Sequence, residues 1–280
     1  MVKIIADTTS GLPAEVARRY NIPIIPQIIN FGDQSFIENV NIDNAGFMQR
    51  LKTCKELPKT AAPAPEWFVQ EFEKLVPLGE PIICIHPSSV VSGTVRAALV
   101  AAKDFPNADI RVIDTQMVAN PLATMVELAA KWAEAGADAD TIESRIKDMI
   151  PRARLFALVD TLEFLSRGGR IGGAAALLGT VLQVKPIITL REGKVDQFDK
   201  ERTHRRAVAR LKELVHTMYP NNGDGYLGIL HAAVPEEAKL LANELGRELG
   251  LDVVPVLDVP PAIATHAGPG LLGVSFFVKE

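Results

Sequence analysis

Short apolar runs of strand length alternate with amphipathic segments over the first half of the chain. The apolar runs cover residues 2–6, 22–29, 81–86 and 110–113. The intervals between them show helical periodicity; after Pro65, for example, Phe68 and Phe72 share one face. Strands that alternate with helices at this spacing indicate an α/β fold with a mainly parallel sheet, covered by helices on both faces.

The pattern changes after about residue 150. Two strand-like runs, residues 186–191 and 194–198, are joined by Glu192-Gly193, which indicates a β-hairpin. Further strand-like runs and two helical segments cover residues 155–159, 201–218, 226–231, 236–249, 253–256 and 272–278. We therefore expect an N-terminal α/β domain, residues 1–150, and a C-terminal α/β domain, residues 151–280, with a mixed or antiparallel sheet.

Composition narrows the class of protein. The 280 residues carry a formal charge of −4, which argues against a dedicated binder of nucleic acid or anionic membranes. Cys54 and Cys84 form no CxxC pair, so neither a disulfide framework nor a zinc site is predicted. The first apolar run is too short for a signal peptide, and no stretch reaches the ~18 apolar residues of a membrane span. We expect a cytoplasmic protein.

Small hydroxyl side chains concentrate in three loops, residues 7–12, 87–94 and 114–120, each of which follows a predicted strand. Loops after the carboxyl ends of parallel strands meet at one sheet edge, where ligands bind. The hydroxyls are those of Thr8, Thr9, Ser10, Ser88, Ser89, Ser92, Thr94 and Thr115. Thr60 joins them if the proline-rich loop 58–65 reaches this edge. Serine and threonine are also common turn and cap residues, which is the alternative for each.

The loop that contains Ser92 and Gly93 is the best candidate for a binding site. It leads into a helix, so free backbone N–H groups and the positive end of the helix dipole face it. Ser92 and the amide of Gly93 could hold a carboxylate or phosphate oxygen, although capping alone would explain Ser92. His266 is the second candidate, because it lies in a tight turn rich in glycine and proline at residues 264–270. It either stabilises that loop or contacts a ligand, as a hydrogen-bond donor to a carboxylate or as a base.

Several motifs are missing. The sequence has no ATP-binding P-loop, no GxSxG nucleophile elbow and no HExxH metal motif, and residues 168–173 are not a proper GxGxxG. We therefore expect no cofactor and no metal. A basic cluster, by contrast, contains Arg167, Arg170, Arg202, Arg205 and Arg206. It is either a solvated face or a docking site for an acidic partner or a phosphate.

The motifs together resemble the DegV family, fatty-acid-binding proteins that act as carrier subunits of bacterial fatty-acid kinase. The resembling segments span nearly the whole chain and are residues 6–13, 58–63, 88–94, 160–172, 193–195 and 265–270. The block DTLEFLSRGGRIG at residues 160–172, combined with the HAGPG turn, is specific. Two positions depart from the family pattern: Ala61 and Ala62 replace a serine and a glutamine, and Gly11 replaces an acidic residue.

The resemblance implies two α/β domains with an acyl chain between them and the fatty-acid carboxylate near Thr60, Ser92 and His266. Gly93 joins this set through its backbone amide at the start of the helix, and Ser89 and Thr94 are additional candidate contacts. The family protein is not itself the catalyst: it presents the acid to a separate ATP-dependent kinase subunit that makes acyl-phosphate, a step in phospholipid metabolism. Arg170 and Arg202 match positions associated with kinase docking.

A fatty acid suits these residues physically. Burial of its tail stabilises the complex by about 0.8 kcal/mol per methylene, and its head group needs a few neutral donors, because an unpaired buried charge is costly. Candidate tunnel walls are Leu162, Phe164, Leu165, residues 174–178, Leu271 and Leu272.

Two other functions stay open on the sequence. One is a serine hydrolase that uses Ser92 or Ser89 with His266 and an aspartate, Asp7 or Asp114. The other is a nucleotide- or phosphosugar-binding protein with phosphate at the helix start near Ser92.

Overall fold

The computed structural model describes residues 1–54, 56–177, 184–220 and 223–279. The strands are β1 (Lys3–Asp7), β2 (Ile24–Ile25), β3 (Ile28–Phe31), β4 (Gln34–Ile37), β5 (Lys59–Ala61), β6 (Ile82–His86), β7 (Ile110–Asp114), β8 (Ala153–Leu158), β9 (Lys185–Arg191), β10 (Lys194–Glu201), β11 (Gly228–His231), β12 (Val256–Asp258) and β13 (Leu272–Phe277). The helices are α1 (Ala14–Arg19), α2 (Asn44–Thr53), α3 (Pro65–Leu75), α4 (Thr94–Ala102), α5 (Asn120–Glu134), α6 (Ala139–Arg152), α7 (Glu163–Arg167), α8 (His204–Met218), α9 (Pro235–Leu249) and α10 (Pro261–Ala267).

The first half is built on a four-stranded parallel sheet in the order β2-β1-β6-β7. Every residue of β6 is buried, because helices cover both faces of the sheet. Met125 of α5 and Ile142 of α6 pack on one face, and Phe68 and Phe72 of α3 pack on the other with α4. The predicted parallel sheet with two covered faces is confirmed.

A small antiparallel sheet, in the order β4-β3-β5, differs from the sequence prediction. Residues 22–29 were expected to form one strand, but they form β2 and the start of β3, which belong to different sheets. The loop predicted at residues 58–65 contains β5, and Thr60 pairs there with Ile29. Partners about thirty positions apart create this strand, and local sequence patterns do not report such a pairing.

The second half is built on a six-stranded mixed sheet in the order β10-β9-β8-β13-β11-β12. Its pairings are antiparallel except for β11 with β12. α8 and α9 cover one face through Leu211, Leu214 and Leu241, and the predicted hairpin of β9 and β10 is confirmed. The division into residues 1–150 and 151–280 stays a prediction; residue 150 lies in the last turn of α6.

His266 occupies the last turn of α10, whereas the sequence placed it in a tight turn between two strands. Pro261 begins the helix at a position where proline needs no N–H partner. Gly268 ends it at a φ of 78°, and a Cβ at Gly268 would lie 2.5 Å from the ring of Phe164. The glycines and the proline therefore bound a short helix, and the helix holds the histidine.

Contacts between the two halves fix the position of one sheet relative to the other. Ser88 Oγ donates to the carbonyl oxygen of Gly193 at 2.7 Å, and Asn120 Nδ2 donates to Ser275 Oγ at 2.8 Å. Among the helices in the described ranges, none is long and apolar enough to cross a membrane.

Glu38 forms a third contact of this kind. Its carboxyl accepts hydrogen bonds from the hydroxyl of Thr8 and, at 3.1 Å, from the backbone N–H of Ala262 in the first turn of α10. Burial raises the pKa of Glu38 to about 7, an effect that outweighs both hydrogen bonds. Glu38 therefore ties α10 to the end of β1 and takes up a proton in the folded state near neutral pH.

We expect Glu38→Gln to flatten the pH dependence of stability. The folded-state pKa of about 7 exceeds the ordinary value of 4.5, so the folded state retains a proton that the unfolded state has lost. Stability falls as the pH rises through this interval. Denaturant unfolding between about pH 5 and about pH 8 should show the difference between the two pH values shrinking by about 3 kcal/mol in the variant.

Glu73→Gln is the matched control, because Glu73 is exposed on α3. It should leave the wild-type pH dependence intact. The same slope in Glu38→Gln and wild type would contradict the assignment.

Candidate functional site

The two halves of the chain line a mainly apolar, open cavity, whose empty space of about 1000 Å³ includes solvent outside its mouth. Side chains from the mixed sheet, from residues next to its strands and from α10 form much of its apolar wall: Leu155, Ile188, Leu230, Val259, Ile263 and Leu271. The three strand-end loops of the parallel sheet also reach it, through Thr9, Ser92 and Val118. The predicted gathering of these loops at one sheet edge is confirmed.

The polar part of the cavity wall contains all four residues predicted to hold a carboxylate: Thr60, Ser92, Gly93 and His266. Thr60 lies on β5 and His266 on α10, and Thr60 Oγ1 is 2.8 Å from His266 Nε2. Gly93 is the N-cap residue of α4, and a Cβ there would lie 3.1 Å from Ala62 Cβ. These four residues therefore offer two hydroxyls, one imidazole and a helix-start amide.

His266 is an uncharged group at neutral pH. Its pKa falls to about 4, first because burial disfavours the imidazolium and second because the positive charge of Arg170 opposes it. Its Nδ1 is buried and has no hydrogen-bond partner in the described part of the chain. A buried Nδ1–H without an acceptor would cost more free energy than a buried, unprotonated Nδ1 without a donor. We therefore assign the proton to Nε2, which then donates to Thr60. The Thr60 hydroxyl keeps its own hydrogen for a ligand.

Arg170 and Arg202, the two candidate docking residues, occupy different environments. Arg170 is half-buried in the cavity wall and donates to the carbonyl oxygens of Val91 at 3.2 Å and Gly168 at 2.7 Å. No carboxylate pairs with it in the described ranges. Arg202 is exposed between β10 and α8. Arg170 therefore contributes positive charge to the cavity, and Arg202 contributes it to the surface.

Ser89 and Thr94, the additional candidate contacts, do not line the cavity. Ser89 is exposed, and its hydroxyl and backbone N–H both donate to the Asp114 carboxylate. Thr94 is fully buried behind the cavity wall, and its Oγ1 lies 2.8 Å from Ser92 Oγ. For its hydroxyl to bind a ligand directly, Ser89 would have to break its hydrogen bond to Asp114.

The described residues do not assemble the triad of the hydrolase hypothesis. His266 bonds Thr60 and has no aspartate partner, while Asp7 bonds a different histidine, with 2.8 Å between Asp7 Oδ2 and His86 Nδ1. The remaining Nε2 of His86 is buried without a hydrogen-bond partner in the described ranges, and its ring packs edge-on against Phe68. No cluster of metal-ligating side chains is found in the same ranges.

Sequence reasoning missed two residues of the site: Gln27, which lines the cavity, and Glu38, which holds α10. The sequence offered a signal for one of them: Gln27 is a polar residue inside the apolar run 22–29, which could have marked it as a residue of the site. Gly168 was noted only within a glycine-rich block, yet a Cβ there would lie 2.2 Å from His266 Nδ1.

The predicted tunnel walls are partly confirmed. Leu165 and Leu271 line the cavity, and Leu162 and Ala174 belong to the buried cluster around it. Leu272 packs on the opposite face of the mixed sheet, because successive strand residues point to opposite faces. Residue 178 lies outside the described residues.

Fold and site together define a mixed α/β protein in which an apolar cavity with polar groups in its wall lies between the two larger sheets and the small one. A family model described as DegV, an uncharacterised protein family, matches residues 1–279, and the chain belongs to this family. A DegV domain-containing protein of Streptomyces coelicolor is 36% identical over 275 residues, which cover 98% of this chain and 97% of the relative.

Solved structures agree with this assignment. A DegV family protein from Thermus thermophilus, described as fatty acid binding, has a TM-score of 0.91 and 28% identity and covers 99% of both chains. DegV from Bacillus subtilis, described as a fatty acid binding protein, has a TM-score of 0.89 and 28% identity over 99% of both chains. The mixed α/β fold predicted from the sequence is confirmed by these similarities.

We expect Gly168→Ala to displace the His266 imidazole. The backbone of Gly168 has a φ of −76°, which alanine adopts freely, so the effect comes from the new methyl group 2.2 Å from Nδ1. Loss of the Thr60–His266 hydrogen bond should weaken the binding of palmitic acid about tenfold, as measured by titration calorimetry.

Gly246→Ala is the matched control. A Cβ at this helical position would make contacts of 3.4 Å and 3.5 Å, which are ordinary packing distances. It should leave binding unchanged and gain helix propensity. Equal affinity in Gly168→Ala and wild type would show that the imidazole position does not matter for binding.

Proposed function

We propose that this protein binds one long-chain fatty acid, with its carboxylate at Thr60, Ser92, Gly93 and His266. The observation that carries the proposal is an apolar cavity whose wall includes two hydroxyls and an uncharged imidazole. The descriptions of the DegV proteins from Thermus thermophilus and Bacillus subtilis as fatty acid binding support it.

Energetics favour such a ligand. The tail contributes about 0.8 kcal/mol for every methylene that it buries against the cavity wall. The carboxylate receives hydrogen bonds from the hydroxyls of Thr60 and Ser92 and from the backbone N–H of Gly93, while His266 acts through Thr60, whose oxygen accepts from Nε2. The nearby positive charge of Arg170 favours an anion at this end of the cavity. Arg170 is already bonded to two carbonyl oxygens, so it supports the anion without forming a buried salt bridge that must be broken on release.

In this proposal the protein is a cytoplasmic carrier rather than an enzyme. A separate kinase would transfer a phosphoryl group from ATP to the carboxylate oxygen and release ADP, giving acyl-phosphate for phospholipid metabolism. We assign docking of this kinase to the exposed Arg202 and to Arg170 of the cavity wall. No observation in the described residues favours the serine hydrolase.

We expect purified protein to carry a fatty acid. Mass spectrometry of an organic extract from denatured protein should find close to one long-chain fatty acid per chain. Ser92→Ala and Thr60→Val each remove one donor to a charged group and should weaken binding about ten- to a hundredfold.

The exposed Ser35 on β4 provides the control, and Ser35→Ala should retain ligand as wild type does. An empty extract, together with no thermal shift on addition of palmitate or oleate, would rule out the fatty-acid proposal.

We expect Arg202→Ala to separate docking from binding. Fatty-acid affinity should stay at the wild-type value because Arg202 does not line the cavity. Acyl-phosphate formation by an added fatty-acid kinase should fall about tenfold at limiting carrier concentration, since removal of an interfacial charge slows association. Arg247→Ala, on the exposed face of α9, is the control. Unchanged turnover in Arg202→Ala would remove this residue from the docking surface.

A further inference from the structure

Ser92 stands at the end of a hydrogen-bond relay formed by Asp7, Gln27, Thr94 and Ser92. Asp7 Oδ1 accepts from Gln27 Nε2 at 3.1 Å, and Gln27 Nε2 also donates to Thr94 Oγ1 at 2.9 Å. Thr94 Oγ1 in turn lies 2.8 Å from Ser92 Oγ. The first three residues are buried, whereas Ser92 is half-buried in the cavity wall.

The donors and acceptors fix the direction of this relay. The amide nitrogen of Gln27 has two hydrogens, of which one goes to Asp7 and the other to Thr94. Thr94 Oγ1 is therefore an acceptor, and its own hydrogen needs a partner because Thr94 is fully buried. Within the described ranges, the acceptor available to it is Ser92 Oγ.

Ser92 is left with a hydrogen that no group in the described part of the chain accepts. Its Oγ already accepts from the Thr94 hydroxyl and, at 3.3 Å, from the Thr94 backbone N–H. We propose that Thr94 is a positioning residue, which together with Gln27 orients the Ser92 hydroxyl so that it donates into the cavity. The inference rests on the proposed function, since it takes the ligand head group to be a carboxylate.

The buried start of the relay is held in place. Asp7 Oδ1 also accepts from the backbone N–H of Thr9 at 3.0 Å, and Asp7 Oδ2 contacts His86 Nδ1 at 2.8 Å. A hydroxyl that is oriented before the ligand arrives loses less rotational freedom on binding. It also discriminates between head groups, because a carboxylate presents only acceptors and an ammonium presents only donors.

Thr94→Val tests the relay because it exchanges a hydroxyl for a methyl group of similar size outside the cavity wall. Binding of palmitic acid, measured by titration calorimetry, should weaken about three- to tenfold, since Ser92 becomes free to turn away. Thr94→Ser keeps the hydroxyl, so its affinity for palmitic acid should stay within about twofold of the wild-type value. Thr124→Val removes a hydroxyl that bonds within α5 and should leave binding unchanged.

A double-mutant cycle separates positioning from packing. If Thr94 acts through Ser92, Thr94→Val has no further effect on palmitic acid affinity in a Ser92→Ala background. Gln27→Met removes both amide donors at similar length and replaces Thr94→Val should that variant not fold. Because Gln27 also lines the cavity, the part of its effect that disappears in the Ser92→Ala background measures the relay.

Two results would overturn the relay while leaving the proposed function intact. One is that Thr94→Val lowers palmitic acid affinity by the same factor in the wild-type and in the Ser92→Ala background. The other is wild-type affinity in a folded Thr94→Val, when Ser92→Ala itself binds weakly. A wild-type protein that does not bind palmitic acid at all would instead refute the proposed function.

Discussion

The hydrogen bond between Thr60 and His266 joins residues that are 206 positions apart in the chain. Thr60 is placed by the pairing of β5 with β3, and His266 is placed by α10, which Glu38 holds from its first turn. Gly168 allows the imidazole to approach, because any Cβ at that position would occupy its space. The polar end of the cavity therefore exists only when the small sheet, α10 and the turn after α7 are all in position.

Sequence patterns predicted the parts of this arrangement that depend on local periodicity. The parallel sheet, the β9–β10 hairpin and most helices follow from apolar spacing and turn residues, with ends that differ by a few positions. Thr60, Ser92, Gly93 and His266 were predicted correctly as neighbours of one cavity. Strand-end geometry supports that prediction for the Ser92 loop, and the turn rich in glycine and proline pointed to His266. Family resemblance then joined Thr60, Ser92 and His266 in one carboxylate site.

The remaining features depend on contacts between distant segments. β5 is a strand because Thr60 meets Ile29, and Glu38 links the end of β1 to α10 because it meets Thr8 and Ala262. Neither position carries a local sequence signal. From sequence alone Glu38 is indistinguishable from a surface glutamate, and only the fold shows that it is buried with a raised pKa. The direction of the Ser92 hydroxyl is a property of several consecutive hydrogen bonds, which no single residue type encodes.

Neutral recognition of the head group has a consequence for the carrier that we propose. An imidazole with a pKa of about 4 stays uncharged at any pH near neutrality, so the hydrogen bond by which His266 orients Thr60 does not change with modest acidification. A buried ion pair would bind the carboxylate through strong attraction, and its separation would expose an uncompensated charge. Oriented hydroxyls give directional hydrogen bonds without that penalty, while the apolar wall supplies most of the affinity through the tail. In the carrier that we propose, such a division of roles allows the carboxylate to be presented to the kinase while the tail stays bound.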